Sequence, residues 1–392
     1  MKPKPKKLRE GLVKKLVKGG AIKSKEVKDA FQKVPRHIFL PDIEIKKAYK
    51  DSSFITKKIG IDPLSSSTQP SLMAPMLENL RVQKGMEVLE MGAGTGYNAA
   101  ILSELVGEQG KIFTLDIDKD TVEEARSNLI SAGYKNVRVE CADGEEGLPQ
   151  HAPYDRIIAT CSIKNFPEPW INQLKEEGII VTPIWLNGAQ VTPAFKKEGG
   201  ILISFSVTQG GFMELRSRPP KEMLVKQNDS QKLLICTEHL DLFKEEEVTS
   251  LLRKNYQEES LPSDNMDLCM RRYDFFIFLS LHDKNSIELF LEKNNENLGF
   301  RKSALGIINL KRESACLISK DCKLLKYGSS YAYKRVLELI HKWDKLNRPS
   351  IDQLKFLVYS KNNKLAPTKK KFLFKKESSS TLCGVWIKRF GS

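Results

Sequence analysis

Residues 86–100 read MEVLEMGAGTGYNAA, and this stretch decides the fold. Its first six residues form a short apolar run that is typical of a buried strand. Gly92-Ala93-Gly94-Thr95-Gly96, which we call the glycine loop, follows at once, and the apolar positions of residues 98–107 then recur with helical spacing. A strand that passes through a glycine-rich turn into a helix brings backbone N–H groups close to a ligand. The stretch therefore predicts a ligand-binding strand–loop–helix unit.

The alternation of strand and helix continues toward residue 185. Predicted strands cover residues 111–117, 136–143, 154–162 and 178–185, and a predicted helix covers residues 121–132. Repeated strand–helix–strand units imply a parallel, doubly wound sheet. Residues 190–197 and 201–209 flank Glu198-Gly199-Gly200 and predict an antiparallel hairpin that closes the sheet. We therefore expect the α/β class with a doubly wound, Rossmann-like sheet.

Carboxylates stand where a nucleoside cofactor would need them. Glu90 lies two residues before the first glycine of the loop, Asp116 ends the second strand and Asp143 ends the third. Asp116 could accept hydrogen bonds from both ribose hydroxyls, and Asp143 could accept one from an adenine amino group. Each acid alone could equally be a helix cap or a turn residue. Their combination with GxGxG spacing, instead of the GxGxxG of dinucleotide sites, predicts an S-adenosylmethionine site. Its predicted residues are Glu90, Gly92, Gly94, Thr95, Gly96, Asp116, Asp143 and Gly144.

Changes in the pattern of predicted helices and strands divide the chain into three parts. Residues 1–50 predict a helical segment with one amphipathic helix at 8–18 and a second that Ser24 can cap. Residues 51–217 contain the glycine loop and the predicted sheet. Residues 218–392 predict a separate α+β accessory domain without a catalytic motif. Its predicted strands cover 232–238, 275–282, 304–312, 315–321, 354–360, 370–376 and 384–390, and its predicted helices cover 245–255 and 329–346.

Composition limits the compartment and the partners. The 392 residues are 40% hydrophobic and 29% charged, and no apolar run reaches the ~20 residues that cross a bilayer. The basic start lacks the apolar stretch of a secretory signal. The seven cysteines are scattered without a CxxC pair and the five histidines form no HExxH motif. We therefore expect no metal site, no disulfide framework and no membrane partner, and a cytoplasmic location fits best.

The net charge of +15 leaves two interpretations open. One is a nucleic-acid or anionic-membrane partner. The other is a surface rich in lysine, because the lysines are spread along the chain and glutamate accompanies them in most segments. We favour the second interpretation, with the lysines of the first 28 residues as the exception.

Several segments carry a more specific pattern. Residues 65–74 read SSSTQPSLMA, residues 34–39 read VPRHIF, and the glycine loop continues as GTGYNAA. The pattern continues in Ala48-Tyr49-Lys50-Asp51, Asp143-Gly144, Ala152-Pro153-Tyr154-Asp155 and Gln173-Leu174-Lys175. Over residues 8–215 the chain resembles the protein-L-isoaspartate O-methyltransferases. The resemblance implies a seven-stranded class I methyltransferase sheet, S-adenosylmethionine as cofactor, and a substrate protein or peptide that carries isoaspartate or aspartate.

The resemblance also implies where the substrate binds. In that family a serine before x-Pro lies beside the transferred methyl group and holds the substrate carboxylate, and Thr68 occupies that position here. Thr68 is therefore the predicted catalytic residue, and Thr68, Gln69 and Ser71 are the predicted substrate-binding residues. The chain departs from the family pattern at two of these substrate-side positions. Thr68 has one methyl group more than the family's serine, and Ser71 stands where the family often has histidine. Thr68 could alternatively cap the helix that opens at Pro70 or Ser71.

The resemblance implies carboxyl methylation of isoaspartyl residues, which repairs them through a methyl ester and a succinimide. Other functions stay open beside this one. Residues 210–216 and 343–350 resemble longer members of the family, some of which are thought to esterify an ordinary aspartate in a dedicated ribosomal peptide. Adenosine methyltransferases of tRNA share the fold, but the chain shows no aromatic and basic platform for stacking bases. A third alternative is a cofactor-binding scaffold without activity, and the hydroxyl retained at Thr68 speaks against it.

Overall fold

The computed structural model describes residues 4–59, 62–216, 233–261, 266–291, 298–367 and 372–388. The α-helices are α1 (Pro5–Lys18), α2 (Lys25–Lys33), α3 (Ile45–Ala48), α4 (Pro70–Leu80), α5 (Tyr97–Val106), α6 (Lys119–Ser131), α7 (Glu168–Gln173), α8 (Glu245–Leu252), α9 (Met266–Met270), α10 (Arg272–His282) and α11 (Tyr331–Lys345). Within these residues, no helix is both long and apolar enough to cross a membrane.

The strands follow the same chain order. They are β1 (Phe54–Ile59), β2 (Asp62–Ser67), β3 (Glu87–Met91), β4 (Lys111–Asp116), β5 (Val137–Cys141), β6 (Tyr154–Ala159), β7 (Leu174–Val181), β8 (Ile184–Leu186), β9 (Ala189–Glu198), β10 (Ile201–Gln209), β11 (Leu233–Cys236), β12 (Tyr256–Ser260), β13 (Ser286–Leu291), β14 (Ser303–Asn309), β15 (Ser314–Ser319), β16 (Lys323–Gly328), β17 (Leu354–Ser360), β18 (Phe374–Glu377) and β19 (Thr381–Ile387).

The predicted doubly wound sheet is present in the order β10-β9-β7-β6-β3-β4-β5. The strands from β7 to β5 are parallel neighbours, and β9 and β10 form the predicted antiparallel hairpin. β3 is buried from Val88 to Met91 because helices cover both faces of a central parallel strand. The carboxyl ends of the parallel strands meet at one edge and bring the glycine loop close to Asp116. The α/β class and the Rossmann-like sheet are confirmed.

The N-terminal helices pack directly against this sheet. Ser24 caps α2, as predicted, because its side chain accepts a hydrogen bond from the Val27 N–H. Leu12 of α1 and Ile101 of α5 are both buried in one apolar core. Residues 4–50 therefore share a core with the sheet, although the sequence presents them as a segment of their own.

The C-terminal part of the chain extends the first sheet, which corrects the expectation of a separate domain at 218–392. β17 pairs antiparallel with β10, where Leu202 lies opposite Val358, and β19 and β18 follow β17. The pairing buries apolar side chains such as Val385. The predicted boundary at 217/218 lies outside the described residues. Pairing between strands so distant in sequence leaves no local pattern, so the alternation within each strand could not show which sheet it joins.

A second, antiparallel sheet has the order β11-β13-β14-β15-β16-β12. Alternate residues of its strands pack against α8 on one face and against α10 and α11 on the other. The strand predicted at 275–282 is wrong, because these residues belong to α10. Every residue from Phe275 to Leu281 is buried, since α10 lies between this sheet and the β8–β9 edge of the first. A short run that is apolar on all sides does not distinguish a buried strand from a buried helix.

One pair of cysteines is joined. A disulfide links Cys269 in α9 to Cys322 in the turn between β15 and β16, and their Cα atoms lie 5.5 Å apart. The other five cysteines are free thiols, so a single bridge is present and not a framework. The scattered spacing does not indicate this pair, because residues 53 positions apart meet only through the tertiary fold.

Candidate active site

The glycine loop joins β3 to α5 at the carboxyl edge of the sheet. Gly92, Gly94 and Gly96 have φ angles of 93°, 49° and 86°, in the left-handed region where most side chains are strained. Gly92 and Gly94 line a cavity, and a Cβ atom at Gly92 would lie only 2.6 Å from Thr160 Oγ1. Gly96 instead faces α6, where a Cβ atom would lie 3.2 Å from the Ala125 carbonyl oxygen. The first two glycines line the cavity without a side chain, and the third leaves room for a neighbouring helix.

Glu90 lies beneath the glycine loop and does not line the cavity. Its carboxylate is fully buried and accepts hydrogen bonds from Asn98 Nδ2 and Thr114 Oγ1, each at 2.7 Å. Burial raises the pKa of Glu90 to about 7, although the two hydrogen bonds oppose the shift. The side chain therefore ties β3 to α5 and β4 and stabilises the shape of the loop. Direct contact between Glu90 and a cofactor stays a prediction.

Asp116 ends β4 and lines the cavity. Its Oδ2 accepts a hydrogen bond from the Gly94 N–H at 3.2 Å, and its Oδ1 accepts one from the Asp118 N–H at 3.3 Å. Burial raises the pKa of Asp116, and the backbone hydrogen bonds oppose this shift. A carboxylate offers about four acceptor positions, so two contacts leave capacity for the hydroxyls of a ribose.

The remaining predicted cofactor residues are divided between the cavity and its surroundings. Gly144 lines the cavity, and its carbonyl oxygen accepts a hydrogen bond from Trp170 Nε1 at 2.8 Å. The Asp143 carboxylate accepts a hydrogen bond from the Glu145 N–H at 2.9 Å and so stabilises its own turn. Thr95 is buried within the loop. Neither Asp143 nor Thr95 lines the cavity, so their contacts with a cofactor stay predictions.

Sequence reasoning missed several cavity residues, and two of them lie at the end of β6. Thr160 and Cys161 directly follow β6, which is the neighbour of β3. Thr160 Oγ1 donates a hydrogen bond to the Gly92 carbonyl oxygen at 2.8 Å and so holds the loop in place. Burial raises the pKa of the Cys161 thiol. The available signal is topological, because ligands of doubly wound sheets bind beyond the carboxyl ends of the strands around the switch point.

An antiparallel hairpin of β1 and β2 covers the glycine loop. The sequence pattern predicts only a polar stretch over residues 51–69. In the structure, residues 64–66 line the cavity, and the Ser66 carbonyl oxygen lies 3.5 Å from the position of a Cβ atom at Gly94. Because the hairpin ends at Ser67, the predicted catalytic Thr68 follows directly on the strand that faces the loop.

A buried arginine holds this segment from below. Arg36 is fully buried, and its Nη2 donates a hydrogen bond to the Thr68 carbonyl oxygen at 3.0 Å. The rings of Phe54 and Tyr97 flank the guanidinium at 5.4 and 5.6 Å. Burial lowers the pKa of Arg36. Its other backbone acceptors are the carbonyl oxygens of Ala48, Lys50 and Ser52.

Asp51 organises the residues after Thr68. Its Oδ1 accepts a hydrogen bond from the Ser71 N–H at 2.9 Å, and its Oδ2 accepts one from Gln69 Nε2 at 3.3 Å. Gln69 Nε2 also donates to Ser71 Oγ at 2.8 Å. Gln69 is the N-cap residue of α4, so the interpretation of Thr68 as an N-cap is wrong. Within the part of the chain that the structure describes, the Thr68 hydroxyl makes no hydrogen bond, whereas Gln69 and Ser71 bind Asp51 and each other.

Residues 210–216, which we call the strap, cover the cavity from the opposite side. The strap is anchored at Ser162, whose N–H donates to the Met213 carbonyl oxygen and whose carbonyl oxygen accepts from the Leu215 N–H, each at 2.7 Å. Gln190 Oε1 accepts a hydrogen bond from the strap N–H of Phe212 at 2.9 Å. The cavity is therefore lined by the glycine loop, the hairpin and the strap.

These features define a class of protein. A doubly wound sheet, a glycine loop and a cavity that contains the carboxylate of Asp116 are typical of nucleoside-cofactor enzymes with the Rossmann-like fold. The residues fit an adenosyl group, because Gly92, Gly94 and Gly144 line the cavity without side chains and Asp116 has acceptor capacity for a ribose. Among the described residues, no group of three or more potential metal ligands lies together.

Comparison with known proteins narrows the class to one family. A family model described as Protein-L-isoaspartate(D-aspartate) O-methyltransferase (PCMT) matches residues 6–218. A protein-L-isoaspartate O-methyltransferase from Methanococcoides burtonii is 45% identical over 158 residues, which span 40% of this chain and 75% of the relative. One from Thermotoga maritima is 34% identical over 226 residues, which span 55% of this chain and 71% of the relative. The chain therefore belongs to the protein-L-isoaspartate(D-aspartate) O-methyltransferase family.

A solved structure extends the similarity beyond the family model. A protein-L-isoaspartate O-methyltransferase matches with a TM-score of 0.51 and 26% identity, covering 89% of this chain and 96% of the other. The family model ends at residue 218, so most of the C-terminal part is also matched in this relative.

Proposed function

We propose that this protein is an S-adenosylmethionine-dependent carboxyl O-methyltransferase that acts on isoaspartyl residues of proteins or peptides. The observation that carries the proposal is the position of the hairpin. Its strand lies on the glycine loop, and Thr68 follows that strand with a hydroxyl that has no partner among the described residues. Family membership and the names of the relatives support the same activity.

The cavity supplies the groups that a cofactor of this kind needs. Gly92, Gly94 and Gly144 would lie against the adenosyl part, and Asp116 would accept the ribose hydroxyls. When bound, S-adenosylmethionine supplies a methyl group on a positively charged sulfur. Glu90 supports the loop from beneath and keeps this side of the cavity rigid.

The chain's own residues then have to bind and orient an anionic oxygen. An ordinary carboxyl group has a pKa near ~4 and is already a nucleophile at neutral pH, so no general base is required. We infer that the Thr68 hydroxyl donates a hydrogen bond to the substrate carboxylate, while Arg36 holds the Thr68 backbone in place. The hairpin and the strap line two sides of the site and can align the reactants there.

The product explains the repair of isoaspartate. Methanol leaves a methyl ester more easily than an oxygen leaves a carboxylate, so the neighbouring backbone nitrogen can attack the ester carbonyl. The nitrogen loses its proton, methanol is expelled and a succinimide forms. Hydrolysis of the succinimide returns part of the chain to normal aspartate. The relatives and the family model favour neither the dedicated ribosomal peptide nor tRNA adenosine as the substrate. The cytoplasmic location stays a prediction.

The test measures transfer of a radiolabelled methyl group from S-adenosylmethionine to two peptides that differ only in isoaspartate or aspartate at one position. We expect label on the isoaspartyl peptide, and we expect mild alkali to release it because esters hydrolyse where N-methyl groups do not. The aspartyl peptide is the matched control. Equal labelling of both peptides would contradict isoaspartyl specificity, and alkali-stable label would contradict carboxyl methylation.

A further inference from the structure

Arg216 ends the strap and contributes a positive charge to the cavity. Among the described residues that line the cavity, Asp116 and Glu214 are acidic and Arg216 is the one with a cationic side chain. Glu214 pairs with Lys164 at 2.9 Å, and no described carboxylate pairs with Arg216. The guanidinium is thus positioned in the cavity without a counter-ion from the described chain.

The two ends of the guanidinium differ in their surroundings. Nη2 donates a hydrogen bond to the Pro63 carbonyl oxygen at 2.9 Å, which ties the strap to the hairpin across the cavity. Nη1 is buried, and no described residue accepts a hydrogen bond from it. A buried N–H group of a charged side chain is costly when it has no acceptor, so a ligand that supplies one is favoured at this position.

We infer that Arg216 binds a carboxylate of the ligands through its unpartnered Nη1. A guanidinium favours carboxylates because its N–H groups match the two oxygen atoms in geometry and charge. Two carboxylates enter this cavity if the proposed function is correct. The part of the inference that concerns the substrate rests on that function. One belongs to the methionine part of the cofactor, and the other is the carboxylate of the isoaspartyl substrate.

The strap geometry supports this role. Ser162 and Gln190 fix the strap backbone ahead of Arg216, and Pro63 fixes one side of the guanidinium. The side chain is therefore pre-organised and loses little rotamer freedom when a carboxylate binds. The strap then links the bound anion to the hairpin that precedes Thr68.

The experiment measures binding by calorimetry with two probes, S-adenosylhomocysteine and its analogue that lacks the carboxylate. If the cofactor carboxylate is the partner, Arg216→Gln should weaken S-adenosylhomocysteine roughly 10- to 100-fold and leave the analogue unchanged, because one charge-assisted hydrogen bond is lost. If the substrate carboxylate is the partner, binding of S-adenosylhomocysteine should be unchanged and KM for the isoaspartyl peptide should rise by a similar factor, with kcat retained.

Two further variants keep the inference testable. Arg216→Lys retains the charge and should recover part of the lost affinity, which a merely structural role would not predict. Lys164→Gln removes the exposed partner of Glu214, which also belongs to the strap. This variant should leave the affinity for S-adenosylhomocysteine and the KM for the isoaspartyl peptide unchanged. The inference would be overturned if Arg216→Gln left the affinity for S-adenosylhomocysteine unchanged and did not raise KM for any peptide that the wild type methylates. Calorimetry does not need turnover, so an inactive wild type would count against the proposed function alone.

Discussion

The glycine loop and the hairpin face each other across one cavity, but different kinds of contact hold them in place. The loop is supported by its own neighbours in the sheet, through Glu90 beneath it and Thr160 beside it. The hairpin side depends on Arg36 and Asp51, which lie 32 and 20 residues from their contacts at Thr68 and Ser71. Sheet residues therefore hold the cofactor side, whereas side chains from outside the sheet hold the substrate side.

This difference has consequences for both evolution and mechanism. A loop held by the sheet keeps its shape whenever the sheet folds, which suits a cofactor that many transferases share. A segment held by a few polar side chains can change its position by substitution at those anchors without damage to the sheet. Variants on the two sides should accordingly separate cofactor binding from peptide methylation.

Arg36→Met should have the largest effect and should affect mainly the hairpin side. It removes a fully buried charge and leaves four backbone carbonyl oxygens, including that of Thr68, without their donor. We expect a loss of about 3–5 kcal/mol in the free energy of unfolding, measured by denaturant titration. The same change at the exposed Arg138 should cost less than about 0.5 kcal/mol. Equal effects of the two variants would contradict the role of Arg36.

Gly92→Ala should disrupt the glycine loop and weaken cofactor binding. The Cβ atom would collide with Thr160 Oγ1, which cannot move freely because it donates to the Gly92 carbonyl oxygen. We expect binding of S-adenosylhomocysteine to weaken about 100-fold by calorimetry, since strained backbone conformations cost a few kcal/mol. Gly133→Ala is the matched control, because its φ of 86° is similar and no atom lies within 4 Å of the added Cβ. Unchanged affinity in Gly92→Ala would show that the loop does not contact the cofactor.

Thr68→Val should separate the two sides. Valine has nearly the same shape as threonine but lacks the hydroxyl, so kcat/KM on the isoaspartyl peptide should fall roughly 10- to 50-fold while cofactor affinity stays constant. Thr68→Ser keeps the hydroxyl and should retain most of the activity. Undiminished methylation by Thr68→Val would remove Thr68 from the mechanism.

Glu90→Gln should show the smallest effect, as a change in the pH dependence of stability. Burial raises the pKa of Glu90 from 4.5 to about 7, so the folded state binds a proton that the unfolded state has released between these values. The stability that this group contributes is present below pH 4.5 and is lost as the pH rises through about 7. Glutamine does not titrate, so the variant should gain stability relative to the wild type as the pH rises from 5 to 8. An equal difference at both pH values, by thermal unfolding, would contradict this assignment.

The described residues of the accessory part, from Leu233 onward, reach the cavity through a neighbouring residue. The Tyr273 hydroxyl of α10 donates a hydrogen bond to the Gln190 carbonyl oxygen at 2.9 Å, and the Gln190 side chain binds the strap at Phe212. This contact fits the structural role that the absence of a catalytic motif indicates. The strand predicted at residues 275–282 is a helix, and a helix enclosed by two sheets carries no polar face that would reveal its period.

The sequence alone determined the strand–loop–helix unit, the α/β sheet and the family, because these depend on residues close together in the chain. It also identified Gly92, Gly94, Asp116 and Gly144, which the fold brings to one cavity. The tertiary structure decided which predicted residues support the loop without lining the cavity, as Glu90 does. It also decided that the last strands extend the first sheet, that Arg36 and Asp51 hold the segment around Thr68, and that Arg216 lines the cavity. These contacts join segments far apart in sequence, and a buried polar side chain gives no periodic signal that names its partner.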